Sequence, residues 1–180
     1  NTTGTGKLIV NTMVQLKGEK EAMDYFAAVD KNICQYTKSG SGPSKLVPTG
    51  EIVIGVGFLH DVVYQIVDNG YDNLGMTAPT SGTSYEIGAT AIFKGSKNEE
   101  NAKKFIEFAL SPECVNLAQE NGSYQFLVID NAKPVEAAVK AGLDKIETMV
   151  YNFEDAKVNG PKYYGQFFEV ISNDDRVKTK

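Results

Sequence analysis

The sequence contains little of what metal centres, nucleic-acid surfaces and membrane spans are made from. Among its 180 residues there is no tryptophan, one histidine (His60) and one arginine (Arg176). One histidine cannot build the usual metal clusters, and a single arginine this late in the sequence excludes an arginine clamp in its interior. No apolar run is long enough to cross a bilayer. The net charge of -5 argues against nucleic acid as a partner, which would need a basic face.

The two cysteines, Cys34 and Cys114, are far apart and form neither a CxxC motif nor a metal-type spacing. We interpret them as two small buried hydrophobic residues rather than as a disulfide. The sequence opens without a methionine, in the middle of what looks like a functional turn. We therefore expect it to be a piece of a longer protein.

The stretch that organises the chain is residues 51–61. Residues 52–56 form a nearly continuous β-branched run, which is typical of a strand buried on both faces of a parallel sheet. His60 and Asp61 follow where this strand ends and a helix begins, and ligands of open α/β sheets bind at that edge. The sequence therefore predicts an α/β fold, with further extended segments at 33–36, 74–78, 87–93 and 124–129.

Apolar periodicity and capping residues predict the helices. Ser111 followed by Pro112 is one clear start signal, because serine caps a helix and proline fits its first position. The predicted helices cover residues 5–17, 19–31, 62–67, 98–110, 112–120, 135–141, 144–149 and 161–171.

Three turns rich in glycine and hydroxyl groups are candidate anion sites. The first opens the first helix, where free amides and the helix dipole attract an anion; a purely capping role is an equal alternative. The second, residues 37–44, has a flexible surface loop as its alternative. The third is residues 80–86. Because all three lie at the ends of strands or helices, we expect them to share one pocket.

Five ordered motifs then carry a resemblance to a known family. They are residues 3–6 (Thr-Gly-Thr-Gly), 35–40 (Gln-Tyr-Thr-Lys-Ser-Gly), 55–61 (Gly-Val-Gly-Phe-Leu-His-Asp), 82–89 (Gly-Thr-Ser-Tyr-Glu-Ile-Gly-Ala) and 101–113, which ends in Ser-Pro-Glu. In this order they resemble the C-terminal portion of an extracellular solute-binding protein of an ABC importer. The resemblance is to the ferric-iron and sugar-phosphate branch of type II periplasmic binding proteins, and it runs from residue 1 to about residue 129.

The resemblance implies a two-lobed, Venus-flytrap fold with the first lobe largely missing. Residues 1–84 resemble the α/β core of the second lobe, with a sheet flanked by helices. Residues 85–130 resemble a crossover strand and helices of the first lobe, and residues 131–180 resemble C-terminal helices that pack on the second. Exposed strand edges would then invite a domain-swapped or paired oligomer. A periplasmic or extracellular location, a lipid anchor in the full-length protein and a membrane permease as partner are also implied.

The same resemblance implies a small anionic solute, a phosphorylated sugar or related organophosphate, as ligand. Carboxylates and a histidine would bond to the sugar hydroxyls, while amides and hydroxyls would receive the phosphate. The expected hydroxyl-binding residues are His60, Asp61 and Glu86. The expected phosphate-binding residues are Thr2, Thr3, Gly4, Thr5, Ser39 and Gly40.

Two alternatives remain open. Ferric-iron binders resemble this chain but place two adjacent tyrosines where it has His60 and Asp61, so iron is the weaker reading. A hydrolytic enzyme would use the same pair for acid/base chemistry, yet no nucleophile motif accompanies it. We expect a binding protein without enzymatic activity, cofactor or resident metal.

Overall fold

The computed structural model describes residues 3–142, 144 and 146–171. The only β pairing in this part of the chain is a single parallel bridge between Thr83 and Thr148. Within the same residues, no helix is long and apolar enough to span a membrane. The α-helices described there are α1 (Gly4–Lys17), α2 (Glu19–Asp30), α3 (Gly42–Leu46), α4 (Leu59–Val67), α5 (Glu99–Ala109), α6 (Pro112–Glu120), α7 (Glu136–Lys140) and α8 (Phe153–Val170).

Helices α1, α2 and α8 pack against one another around the larger apolar core. Ala22 on α2 is completely buried, and the Phe26 ring meets Phe167 of α8 edge to face with centroids 5.0 Å apart. Such aromatic pairs add to the stabilisation that comes from burying their apolar surface. The buried members of this core are Val10, Val14, Ala22, Met23, Phe26 and Tyr163.

Polar contacts at the surface also connect α8 to the first two helices. Lys162 forms a 2.7 Å ion pair with Glu19, and this hydrogen bond lowers the pKa of the Glu19 carboxyl. The Gln15 side chain donates to the carbonyl of Asn152 and accepts from its N–H, both at 2.9 Å. The start of α8 is therefore fixed against the last turn of α1.

A smaller core lies between α4 and α7. Val63, Val135 and Ala138 are almost completely buried there, with Leu59 and Met76 packed against them. The contacts of α7 and α8 thus bring the later helices onto elements from the first half of the chain. The division into 1–84, 85–130 and 131–180 stays a prediction.

The predicted sheet is not confirmed in the described residues. Residues 33–36, 52–56, 74–78, 87–93 and 124–129 run without a hydrogen-bonded ladder. Val53 and Ile54 are 91% and 82% exposed, so the β-branched run is not buried on either face. An apolar run indicates that a segment favours burial, but a strand also needs a backbone with which it forms a hydrogen-bonded ladder, and this segment forms none in the described residues.

The helix predictions agree better with the structure. Helix α8 begins eight residues before the predicted start at Pro161, which lies inside the helix instead. Asn152 caps that start by accepting a 2.9 Å hydrogen bond from the N–H of Asp155, and an Asn three residues before an acidic residue is a signal the prediction overlooked. The helix predicted at 144–149 is wrong: residues 146 to 149 are not helical, and Thr148 forms the bridge.

The cysteines are free, as predicted, but their expected burial is wrong. Cys34 is exposed and Cys114 is half-buried. Cys34 lies beyond the end of α2 in a segment that forms no strand, so no sheet covers it.

We expect Phe26→Ala to lower the free energy of unfolding by about 3–5 kcal/mol, because it leaves a cavity among α1, α2 and α8. Phe105→Ala is the matched control, since Phe105 is 66% exposed on α5. The control should change stability by less than about 0.5 kcal/mol. Urea unfolding followed by circular dichroism measures both, and equal effects would refute this account of the core.

Candidate functional site

The N-terminus of α1 is the first part of the candidate site. Thr3 caps the helix, because its hydroxyl accepts a 3.0 Å hydrogen bond from the N–H of Gly6. Its carbonyl accepts from the N–H of Lys7 at 3.1 Å. Thr3 therefore has a capping role, while the amides of the first turn and the helix dipole still favour an anion in front of them. Thr2 lies outside the described residues.

The turn that holds Ser39 and Gly40 contacts this helix end directly. A Cβ atom added to Gly40 would lie 2.1 Å from the hydroxyl oxygen of Thr5, so only glycine permits this approach. Within the turn, the Thr37 hydroxyl donates to the carbonyl of Ser39 at 2.7 Å. The first two predicted loops therefore meet at the backbone of Gly40.

The segment that leads into α4 meets the same turn. A Cβ on Gly57 would lie 3.3 Å from the carbonyl oxygen of Gly40. Phe58 occupies the N-cap position of α4 without a side-chain capping hydrogen bond, and His60 and Asp61 lie in its first turn. The predicted helix start at this histidine–carboxylate pair is thus confirmed, although no strand precedes it.

His60 and Asp61 are held close together at this helix start. The Nε2 atom of His60 is 3.7 Å from Oδ1 of Asp61, and both side chains are less than a third exposed. The ring of Phe58 stacks on the imidazole, with centroids 5.2 Å apart and planes inclined by 22°. This stacking fixes the imidazole plane, so the pair offers donor and acceptor atoms in a defined orientation to a hydroxyl-bearing ligand.

Glu86 lies at the N-terminus of α1. Its Oε1 atom is 4.0 Å from the position that a Cβ of Gly4 would occupy. Just before it, Ser84 accepts a short hydrogen bond from the Thr12 hydroxyl, which holds this segment along α1. The structure therefore places the third loop beside the first, as the shared pocket requires.

The predicted residues do not all touch one another. Thr5 contacts Gly40, whereas Glu86 approaches Gly4 and Gly57 approaches Gly40 only closely enough for an added Cβ to reach the neighbour. His60 and Asp61 come three and four residues after Gly57, and no hydrogen bond or ion pair in the described residues joins them to Glu86. No cluster of three or more His, Cys, Asp or Glu side chains suited to a metal ion occurs among those residues either.

The sequence reasoning missed two polar residues on the same face of α1. Lys7 places its ammonium 5.6 Å from the centre of the Tyr164 ring. Asn11 is only 3% exposed and donates a 2.7 Å hydrogen bond to the Tyr164 hydroxyl. These two residues follow Gly4 at helical spacing. Their polar stripe, on a helix that otherwise packs apolar residues, was the signal in the sequence that could have indicated them.

Comparison with known proteins now identifies the family. A family model described as bacterial extracellular solute-binding protein matches residues 4–126, more than half of the chain. The chain belongs to this family. The resemblance drawn from the motifs is thereby confirmed.

This solute-binding protein is similar to the periplasmic binding protein AfuA from Actinobacillus pleuropneumoniae, whose structure has exogenous fructose-6-phosphate bound. The two are 35% identical, with a TM-score of 0.82 over 96% of this chain and 54% of the AfuA chain. A Haemophilus influenzae protein described as uncharacterized is 39% identical over 151 residues, which are 84% of this chain and 43% of that protein. The chain thus spans about half the length of these relatives.

We expect Gly40→Ala to separate the turn from α1, because the added methyl group collides with Thr5. Overpacking of this kind costs about 1–3 kcal/mol of unfolding free energy. Gly75→Ala is the control, since nothing lies within 4 Å of a Cβ at that position. Urea unfolding measures both changes.

A double-mutant cycle isolates the contact. The three atoms nearest the new Cβ all belong to the Thr5 side chain, so Gly40→Ala should cost much less in a Thr5→Gly background. An undiminished cost in that background would show that the contact is not what requires glycine at position 40.

Proposed function

We propose that this solute-binding protein captures a phosphorylated sugar or a related organophosphate and releases it to the permease of an ABC importer. The observation that carries the proposal is the placement of Glu86 beside the N-terminus of α1. The free amides at the N-terminus of α1 favour an anion, whereas the Glu86 carboxylate accepts hydrogen bonds from hydroxyl groups. A ligand that satisfies both must carry negative charge and hydroxyl groups within a few ångströms of each other.

The charges decide how such a ligand is oriented. A phosphate directly against the Glu86 carboxylate would bring like charges together, which is unfavourable. The phosphate therefore faces the amides of Gly4 and Thr5 and the turn at Ser39 and Gly40. The sugar hydroxyls face Glu86. We assign Thr2 and Thr3 to the phosphate end as well.

The polyol end is completed by His60 and Asp61. Their orientation at the start of α4, fixed by the stacked Phe58 ring, suits hydrogen bonds to neighbouring hydroxyls. The AfuA relative, whose structure has fructose-6-phosphate bound, supports this ligand class. A location outside the cytoplasm, suggested by the extracellular family, and a lipid anchor in the full-length protein are further parts of the proposal.

We expect fructose 6-phosphate to bind more tightly than either fructose or inorganic phosphate, because only the phosphorylated sugar engages both ends of the site. Asp61→Asn and Glu86→Gln should each weaken binding about tenfold to hundredfold, the effect of losing a hydrogen bond to a charged group. Glu113→Gln, an exposed carboxylate on α6, is the control and should bind normally. Isothermal titration calorimetry provides the dissociation constants.

The titrations are made on this chain and on a chimera that joins it to the part of the AfuA chain it does not cover. Titration with ferric citrate tests the iron-binding alternative, and a phosphate-release assay tests the enzyme alternative. Binding of iron without binding of sugar phosphate would replace the proposal with the metal reading. Steady phosphate release from the sugar phosphate would replace it with the enzyme reading, and failure of both proteins to bind any sugar phosphate would refute it.

We also propose that this chain by itself forms domain-swapped or paired oligomers through its uncovered extended segments. Val53 and Phe93 are both 91% exposed in segments whose backbones have no ladder partner among the described residues. Val53→Lys combined with Phe93→Lys should shift the chain towards monomer in light scattering after size exclusion. Val158→Lys, on the exposed side of α8, should not. A monomer before any substitution would refute this proposal.

A further inference from the structure

The turn that carries Ser39 and Gly40 is anchored at its start by a hydrogen-bonded pair. The Tyr36 hydroxyl donates a 2.7 Å hydrogen bond to the carboxylate of Asp30, the last residue of α2. Asp30 is only 3% exposed. Removing a carboxylate from water is costly, and hydrogen bonds such as this one offset that cost. Tyr36 is thereby fixed to the end of α2, just before the turn begins.

The Tyr36 ring also packs against the larger core. It meets the Phe167 ring of α8 edge to face, with centroids 6.2 Å apart, and Phe167 meets Phe26 of α2 in the same manner. The hydroxyl of Tyr36 is thus held by the end of α2, while its ring is held by α8. The chain therefore enters the turn along a defined path.

Hydrogen bonds continue this anchoring into the turn. Thr37, the residue after Tyr36, donates its hydroxyl to the carbonyl of Ser39 at 2.7 Å, and the N–H of Gly42 donates to the same carbonyl at 3.1 Å. A Cβ on Gly42 would lie 2.8 to 2.9 Å from three atoms of the Thr37 side chain. Thr37 therefore closes the turn on itself and connects it to the anchored tyrosine.

We propose that Asp30 is a positioning residue for the phosphate end of the site, which acts through Tyr36 and fixes where the turn at Ser39 and Gly40 lies. The inference rests on the proposed function, which places the phosphate against this turn. Apolar side chains could fill the same space without the cost of burying a carboxylate. A hydrogen bond adds what apolar packing lacks, which is a fixed direction.

Tyr36→Phe removes the hydroxyl and keeps the ring. We expect it to weaken the binding of inorganic phosphate and of fructose 6-phosphate by the same factor, about three- to tenfold, because the turn must then be ordered on binding. Tyr25→Phe is the matched control, since Tyr25 is 46% exposed on α2 and its ring also meets Phe26. Calorimetry on this chain and on the chimera measures the affinities. A loss for the sugar phosphate alone would overturn the proposal.

A conservative substitution tests the hydrogen bond itself. Asp30→Asn keeps an oxygen that accepts from the Tyr36 hydroxyl, so phosphate affinity should stay within about twofold of the original value. A loss as large as that of Tyr36→Phe would overturn the role of this bond.

The path of the effect is tested by coupling. In a Thr37→Val background, Tyr36→Phe should cause little additional loss of phosphate affinity, because its effect reaches the turn through the Thr37 hydroxyl. Additive losses would overturn the proposal and indicate a general structural role for Tyr36.

A measurement without ligand separates this proposal from the function on which it rests. Tyr36→Phe should shift the amide resonances of Ser39 and Gly40 in proton–nitrogen correlation spectra, whereas Asp30→Asn should leave them near their original positions. Unchanged resonances in Tyr36→Phe would overturn the positioning role even if the sugar phosphate binds. Shifted resonances without binding of any phosphate compound would refute the proposed function, and with it the ligand role of Asp30, but not the anchoring of the turn.

Discussion

The packing of α1 between α2 and α8 is the constraint on which the rest of the described structure depends. Its apolar face contributes Val10 and Val14 to the larger core, and its N-terminus carries the cap at Thr3 and the free amides that follow. Because the helix is held along its length, its first turn has a fixed direction. The loops at Gly40 and Glu86 then meet an end of the helix that is already in place.

The elements that sequence reasoning placed well are those whose determinants are local. Helices α1, α2, α5 and α6 follow from apolar spacing and from residues such as Gly18 and Ser111 that end or begin them. The start of α8 was missed because Pro161 was given the role of a start signal, whereas Asn152 supplies the cap. A strand needs a partner segment elsewhere in the chain, and composition alone does not reveal one. Residues 52–56 were therefore predicted to be a strand from their composition.

The candidate site, too, was predictable only where its determinants are local. Residue type indicated Thr3, Gly4, Thr5, Gly40, His60, Asp61 and Glu86, because hydroxyls, glycines and carboxylates at element ends suggest ligand contacts. Which of these come together depends on distances that no local pattern contains. The family match identifies the class of protein. Because the chain covers only about half the length of its relatives, the complete ligand-binding cleft is part of the proposal.

The close approach of Gly40 to Thr5 has a consequence for the entropy of ligand capture. Two groups that are 35 residues apart in the sequence are in van der Waals contact before any solute arrives. The conformational freedom that would separate them is lost during folding rather than on binding. A solute at this end meets an arrangement that is already ordered, so more of its contact energy appears as affinity. The missing side chain at one glycine thus makes part of the recognition surface rigid in advance.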